Sequence, residues 1–344
     1  MKYILFGVIL LSLAGCYATP TPTPYPLQQY PATWTPAPTP TNTPPAPTAT
    51  LVIQHTPGAL ATRDPNARLA PNAPLGMLGF WIKLDATQAP PSKEILARAQ
   101  ILVASAPAAR SSAQFLFLET AVAPDATALS PEWNGIVLPL TSTMTAQDIA
   151  ALRETLRPRL VLASVQFTDT ARLGELAPVA DGIALQNFLR APDAPLDQFP
   201  TESEWLRDID TLAKLAGPET IILNAFDFGA SGAALPVTQQ WLRLALASHW
   251  LAANNAHTFF RVVGALPSTL LAPELTLQLG APTSGIFKQN GVYQRRFVNG
   301  LVLVNPTADA HAFFLPRAYR NRAGNVITQI ELPPHTGEIL ELVE

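Results

Sequence analysis

The feature that most constrains the fold is a series of short, continuously apolar runs separated by amphipathic helical segments. The runs lie at 77–85, 101–105, 114–119, 135–140, 160–167, 181–188, 220–227 and 258–263. Such runs are typical of a parallel sheet whose two faces are both covered. They predict an α/β fold, a (β/α)8-type TIM barrel with room for shortened or missing helices. A doubly wound open sheet is the alternative, but no run leads into a G-x-G-x-x-G or phosphate-loop turn.

Helices are predicted between several of these runs. Thr145 is a capping residue ahead of one of them, whose apolar positions Ile149, Leu152 and Leu156 recur at helical spacing. The remaining helical segments are 92–100, 171–177, 202–216 and 238–253. This order of strands and helices places a barrel at residues 75–281.

The sequence changes character from residue 282 onward. The segments 292–298 and 301–306 flank Asn299-Gly300, a dipeptide that favours a type I′ hairpin turn. Further short strands at 311–315, 326–332 and 338–343 are broken by proline and glycine. Residues 282–344 are therefore predicted to form a small antiparallel β-domain after the barrel.

The N-terminal segment has the pattern of a signal peptide. Lys2 is followed by an apolar run of about ten residues, too short for a spanning helix, which needs about 20. The run ends in Leu13-Ala14-Gly15-Cys16, which resembles the lipobox of bacterial lipoproteins. Residues 1–16 are therefore interpreted as a lipoprotein signal peptide, with Cys16 as the lipidation site. A plain signal peptide with an incidental cysteine is the alternative.

Residues 17–74 combine threonine and proline and carry no charged side chain before Arg63. Proline blocks helices and sheet ladders. The segment also has too few large apolar residues to form a core. The segment is predicted to be a Thr/Pro-rich disordered stalk and lead-in with a polyproline II bias. The protein is thus expected to be extracytoplasmic and lipid-anchored to the bacterial cell membrane, because several acyl chains hold a protein there stably.

Composition excludes several classes of function. Net charge is −3 and only 14% of residues are charged, so nucleic acid is not an expected partner. Cys16 is the sole cysteine, and the five histidines form no H-x-x-x-H pair, so no metal site is predicted. No cofactor motif occurs in the chain.

Candidate site residues are those near the strand ends, because the active sites of barrels lie at the carboxyl ends of their strands. Asp85, Glu119 and Asp227 are the candidate catalytic carboxylates. Glu119 is a candidate general acid. For each of the three, a carboxylate that caps a nearby loop is the competing interpretation.

Four other residues are candidates for substrate binding. Gln186 and Asn187 end the run 181–188, and Asn224 lies within the run 220–227. Trp81 is suited to stacking on a sugar face. The alternatives are a turn or backbone-bonding role for the asparagines and a core position for the tryptophan.

Two stretches resemble a known family. Asp181-Gly182-Ile183-x-Leu185-x-Asn187 resembles the D-G-[IVF]-x-L-D-N strand of polygalactosaminidase-like glycoside hydrolase barrels. The stretch 291–306, from Gly291-Val292-Tyr293 to Val304-Asn305-Pro306, resembles the β-segment that follows such barrels. The resemblance implies a glycoside-hydrolase-like barrel, but the family's strand-end aspartate falls on Gln186. Since glycoside cleavage ordinarily uses two carboxyl groups, half of the acid/base pair is missing unless another carboxylate replaces it.

The sequence therefore predicts a surface-anchored, glycoside-hydrolase-like protein that acts on or binds extracellular polysaccharide or oligosaccharide. The alternative is a non-catalytic carbohydrate-binding or structural lipoprotein. Whether the protein is an enzyme is left open at this stage, because Gln186 stands where an acid is expected.

Overall fold

A computed structural model describes residues 78–84, 92–105, 115–125, 129–216, 220–228, 236–253, 257–264 and 277–343. The predicted signal peptide with Cys16, the stalk and the candidate Asp85 lie outside the described residues.

Eight parallel strands form a closed barrel in the order of the sequence, from β1 to β8. The strands are β1 Gly79–Leu84, β2 Ile101–Ala104, β3 Phe115–Glu119, β4 Gly135–Leu138, β5 Leu160–Gln166, β6 Gly182–Gln186, β7 Ile221–Asp227 and β8 Thr258–Val263. Strand β8 pairs with β1 and closes the ring. The (β/α)8-type barrel predicted from the apolar runs is confirmed, and the open doubly wound sheet is excluded.

Five helices cover the outside of this barrel in the described part of the chain. They are α1 Lys93–Arg98, α2 Ala146–Thr155, α3 Thr170–Leu176, α4 Glu202–Leu215 and α5 Pro236–Ala252. Thr145 caps α2 through a capping box with Asp148, as its sequence predicts. None of the five has the length and continuous hydrophobicity needed to cross a membrane.

Side chains alternate between two apolar layers along each strand. One set fills the barrel interior and includes Trp81, Phe117, Leu162 and Phe259. The intervening set packs outward against the helices and belongs to the larger core. Both faces of every strand are covered, which explains why the sequence runs are continuously apolar rather than alternating.

The C-terminal region forms an antiparallel sheet of six strands in the order β13-β12-β14-β11-β10-β9. Its strands are β9 Phe287–Gln289, β10 Val292–Phe297, β11 Gly300–Asn305, β12 His311–Arg320, β13 Val326–Leu332 and β14 Thr336–Leu342. One face packs toward α5, and the other encloses a small core of its own. The predicted antiparallel β-domain is therefore present.

The predicted type I′ turn at Asn299-Gly300 is wrong. Phe297 pairs with Gly300, so the turn residues are Val298 and Asn299, and neither has a positive φ. The turn of this kind lies one hairpin earlier, at Asn290-Gly291, where both φ values are positive (51° and 81°). Of the three Asn-Gly pairs in the chain, those at 290–291 and 299–300 lie between short β-strands of the same sheet, and the dipeptide alone does not distinguish them.

Helix α5 joins the barrel to the C-terminal sheet. It packs against α4, β11 and β14 and is buried over most of its length, including Trp241, Leu244 and Leu251. Arg295 of β10 reaches its C-terminal end and donates hydrogen bonds to the Leu251 and Ala253 carbonyl oxygens, at 2.6 and 2.8 Å. Since the last carbonyl groups of a helix have no partner within the helix, this arginine anchors the sheet to α5.

Strand β14 lies close against α5 at Gly337. A methyl group at this position would lie 2.4 Å from the Ala247 Cβ and 2.8 Å from the Arg243 carbonyl oxygen. We therefore expect Gly337→Ala to lower the free energy of unfolding by about 1–3 kcal/mol through overpacking. Gly174→Ala is the control, because no atom lies within 4 Å of its added methyl group and it is helical. The control should leave stability unchanged or raise it in a denaturant titration, and equal losses in both variants would contradict this account.

Candidate functional site

The mouth of the barrel, at the carboxyl ends of its strands, is lined by polar and charged side chains. Each of them lies an even number of positions, two or four, after an interior core residue of its strand, so it points toward the barrel axis. These side chains, which we call the mouth residues, are Lys83, Glu119, Gln166, Gln186, Asp227 and Arg261. Below them the interior is apolar, so the polar groups are concentrated at one end of the barrel.

Lys83 and Glu119 form an ion pair inside the mouth. The Lys83 Nζ lies 2.6 Å from the Glu119 Oε1, although the two residues are on β1 and β3, with β2 between them. Their side chains are 37% and 21% exposed, so solvent screens the pair and its contribution to stability is small. The pair fixes the position of the Glu119 carboxylate, which the sequence places among the catalytic candidates.

Asp227 lies at the end of β7, on the opposite side of the mouth from Glu119. In a ring of eight strands, β3 and β7 are four strands apart in either direction. The Asp227 carbonyl oxygen accepts a hydrogen bond from the Arg190 Nη1 at 3.0 Å. Burial lowers the pKa of Arg190, and the charge of Asp227 opposes that shift. The two candidate carboxylates Glu119 and Asp227 therefore face each other across the barrel axis.

The start of β6 has a structural role. The Asp181 carboxylate accepts hydrogen bonds from the Val161 backbone N–H at 2.9 Å and from the Arg153 Nε at 2.7 Å. The next residue is Gly182, and a larger residue would not fit there, because its Cβ would lie 2.4 Å from the Ile221 carbonyl oxygen. Both residues are at the amino end of the strand, away from the mouth, so they hold β6 between its neighbours.

The end of β6 carries an amide cluster, formed by Gln166, Gln186 and Asn187. Gln186 pairs in register with Gln166 of β5, and the Asn187 Nδ2 donates a hydrogen bond to the Gln166 Oε1. Within the described residues, the structure gives no hydrogen bond to the Gln186 side chain. The cluster presents neutral donors and acceptors at the mouth, and Gln186 contributes no acid.

The backbone after β6 is held in an unusual conformation. Asn187 and Leu189 have φ values of 64° and 61°, which residues other than glycine rarely adopt. The segment is nevertheless well packed: Phe188 is fully buried and its N–H donates to the Ala225 carbonyl oxygen. Arg190 anchors its end through the Asp227, Pro192 and Ala194 carbonyl oxygens. Strain retained in a well-packed segment beside a site is typical of a functional position.

Two predicted binding residues do not reach the mouth. Trp81 is only 2% exposed in the barrel interior, and its Nε1 donates to the Asn224 carbonyl oxygen at 3.1 Å. The Asn224 side chain faces outward to α5, where its Nδ2 lies 3.1 Å from the His249 Nδ1. The sequence placed Asn224 in a strand, but the alternation of β7 turns it away from the axis. Neither residue can contact a sugar in this structure.

Three mouth residues were missed by the sequence analysis: Lys83, Gln166 and Arg261. Each lies in a correctly predicted strand: Lys83 and Arg261 come two residues after an apolar interior position, and Gln166 comes four residues after one. The signal that identifies them is this two-residue alternation, applied once a barrel is assumed. The Arg261 guanidinium also lies over the Trp81 ring, 4.9 Å from its centroid, so the buried tryptophan supports a mouth residue.

The described residues contain no group of three or more His, Cys, Asp and Glu side chains arranged to hold a metal ion. The mouth residues themselves offer hydrogen bonding by amides, a guanidinium and an ammonium group, together with two carboxylates.

No protein-family model matches the chain, and no curated protein matches its sequence. In fold it is similar to α-galactosidase I from Mortierella vinacea, at 10% identity and a TM-score of 0.44, covering 78% of this chain and 97% of that one. It is also similar to a family 5 glycoside hydrolase from Bacteroides vulgatus, at 11% identity and a TM-score of 0.42, covering 79% and 89%. A third structure, described as a glycoside hydrolase, is 12% identical with a TM-score of 0.40 and coverages of 81% and 97%. Similarity at this level concerns fold and assigns no activity.

The buried His249 beside Asn224 predicts a pH effect on stability. Burial lowers the pKa of His249 to about 3, whereas an unfolded histidine titrates near 6.5. Between these values only the unfolded state binds the proton, so stability falls as pH falls below about 6.5. Lowering the pH from 7 to 5 should reduce the free energy of unfolding of the wild type by about 2 kcal/mol more than that of His249→Gln, because only the wild type carries this histidine. Denaturant titrations of both proteins at the two pH values measure the difference.

The comparison between the two proteins removes the contribution of other groups. Asp208 on α4 acts in the opposite direction, because burial raises its pKa to about 6 and its folded form gains stability as pH falls. Its contribution is present in both proteins and cancels in the difference. Identical pH profiles for wild type and His249→Gln would contradict the assignment.

Proposed function

We propose that the barrel binds carbohydrate at its mouth. The observation that carries this proposal is the concentration of amide, carboxylate and cationic side chains at one end of an otherwise apolar barrel interior. Sugars offer neighbouring hydroxyl groups that both donate and accept hydrogen bonds, and planar amide and carboxylate groups match them in pairs. The neutral amide cluster and the ion pair, both at the mouth, give such a ligand both kinds of partner.

A strained but well-packed segment supports the same proposal. Asn187 is held in the left-handed region, and its side chain is fixed by Gln166, so its position is set before any ligand arrives. Preorganised polar groups bind a ligand with less loss of side-chain entropy. The finer expectation, a polygalactosaminidase-like specificity, rests only on the resemblance of the two sequence stretches.

Cleavage of the bound glycan is the second candidate function. In its favour, Glu119 and Asp227 are carboxylates on opposite strands at the mouth, and glycosidases use a pair of carboxyl groups about 5–9.5 Å apart. Against it, Gln186 occupies the position where the resembling family has an aspartate, and Glu119 is already paired with Lys83. Binding without cleavage is therefore the function we propose first.

The expected location is the outer side of the cell membrane. The lipobox-like Leu13-Ala14-Gly15-Cys16 and the Thr/Pro-rich segment after it support a lipid anchor with a long spacer. A barrel held in this way would meet extracellular polysaccharide or oligosaccharide at some distance from the membrane.

The binding proposal is tested with Asn187→Gly in the full-length protein, purified in detergent. Glycine adopts positive φ readily, so the free energy of unfolding should change by less than about 1 kcal/mol. The carboxamide is lost, however, and affinity for an oligosaccharide found on a glycan array should fall by about tenfold or more. Affinity is measured by calorimetry with that oligosaccharide.

Asn290→Gly is the matched control, because Asn290 also has a positive φ (51°) but lies in the turn between β9 and β10. It should bind like the wild type. An array without any bound glycan, or equal affinity in Asn187→Gly and wild type, would contradict the proposal. The same samples are assayed for new reducing ends, and release that both Asp227→Asn and Glu119→Gln abolish would establish the second candidate.

The anchor is tested by Cys16→Ser. Without the thiol no diacylglycerol can be attached, so the acyl chains that would hold the mature protein in the membrane are lost. The variant should move from the membrane fraction to the soluble fraction on cell fractionation. A variant that stays in the membrane fraction, with its barrel intact by circular dichroism, would refute lipidation.

A further inference from the structure

A cleft of about 280 Å³ lies beside the mouth, over the carboxyl ends of β4 and β5. Its walls come from the loop after β4, the end of β5 and the facing sides of α2 and α3. This volume is near the lower end of the ~300–1,000 Å³ range of small-molecule sites, so the cleft fits one sugar ring and not a chain. We call it the side cleft.

Several polar groups of the side cleft are not used by the protein. Within the described residues, no hydrogen bond is assigned to the Ser164 hydroxyl or to the NH2 group of Gln166. Arg172 uses two of its five N–H groups, on the Met144 carbonyl oxygen and the Glu175 carboxylate. The side cleft therefore offers donors, in addition to one Asp169 carboxylate oxygen as an acceptor.

The remaining wall of the cleft is aliphatic. Leu138, Ile149, Val165 and Leu176 are buried residues that line it. A sugar ring has a C–H face that packs on such a surface, and hydroxyl groups at its edge that reach the polar side. The two kinds of wall together match an amphipathic, ring-shaped ligand better than a purely polar ion.

The two charged residues that line the cleft, Arg172 and Asp169, have opposite signs. Arg172 is the cation that lines it, with the Asp169 carboxylate beside it and Glu175 3.4 Å from the Arg172 Nη1. An anion would be repelled by Asp169, and a cation would be repelled by Arg172. An uncharged ligand is the one that this balance favours.

We infer that the side cleft is a subsite for one uncharged sugar ring, connected to the mouth through Gln166. That residue lines the cleft, and its side-chain oxygen accepts a hydrogen bond from Asn187 of the amide cluster. The inference rests on the proposed carbohydrate binding at the mouth and adds a second place at which the same glycan is held. A branched or multi-residue neutral glycan would occupy both.

The test uses full-length protein in detergent and the monosaccharides glucose, galactose and mannose as probes. Saturation-transfer NMR and competition titrations should detect at least one of them. Ser164→Leu enlarges a residue that lines the cleft and should lower that affinity by about tenfold or more. Ser142→Leu, on the loop after β4, should lower it as well, which guards against a fold defect in one variant.

Ser203→Leu is the matched control, because Ser203 is exposed on α4 and does not line the cleft. It should bind the monosaccharide as the wild type does. The charged sugars galacturonate and glucosamine should bind at least about tenfold more weakly than the neutral hexose. Circular dichroism and melting curves establish that each variant is folded.

The outcomes separate the two proposals. Monosaccharide binding that survives Asn187→Gly but not Ser164→Leu supports the side cleft as a subsite of its own. No binding of any of the three hexoses, equal binding in Ser164→Leu, or preference for galacturonate would overturn it. If oligosaccharides bind and respond to Asn187→Gly while Ser164→Leu has no effect, mouth binding stands and the side cleft is refuted.

Discussion

The closed ring of eight parallel strands determines what each strand residue can do. Closure leaves no free edge and gives every strand an inner and an outer face, so a shift of one residue moves a side chain from the axis to the helices. Asn224 shows the consequence. It is a polar residue in a correctly predicted strand, but its parity directs it to His249 of α5 rather than to the mouth.

The same constraint explains how the polar mouth is built on an apolar barrel. Interior positions remain apolar until the last inward residue of a strand, and there they change to Lys83, Glu119, Gln186 or Asp227. Each is thus held by a rigid strand rather than by a loop. Trp81 lies one layer below and supports Arg261, so the buried aromatic contributes to the site indirectly.

Much of the fold could be predicted because its signals are local. The apolar runs and the capping residue Thr145 agree with the structure within a few residues, and the predicted antiparallel strands follow the barrel. The hairpin turn was misplaced because Asn290-Gly291 and Asn299-Gly300 are the same dipeptide. Their backbone angles depend on pairing between strands, which the sequence does not display.

The candidate site was less predictable, since its members come together only across the ring. Lys83 and Glu119 are separated by 36 positions in the chain and by a whole strand in the barrel, yet their side chains meet. Gln166 gives no signal by itself, because a glutamine at a strand end is common and acquires its role only through Asn187. Gln186 and Asp227 could be identified as candidate site residues from their residue type and their place at a strand end. Gln166 could be identified only from the pairing of the strands in the structure.

Strand β6 shows why a sequence resemblance carries fold further than activity. Its first half, Asp181-Gly182, is explained by barrel construction: the carboxylate holds Val161 and Arg153, and the glycine gives room to Ile221. Ile183 and Leu185 face the outer core. These contacts position β6 between its neighbouring strands, and they are the same whatever ligand the barrel binds. Of this stretch only Gln186 and Asn187 lie at the mouth, so most of its resemblance to other barrels concerns the scaffold rather than the chemistry of a site.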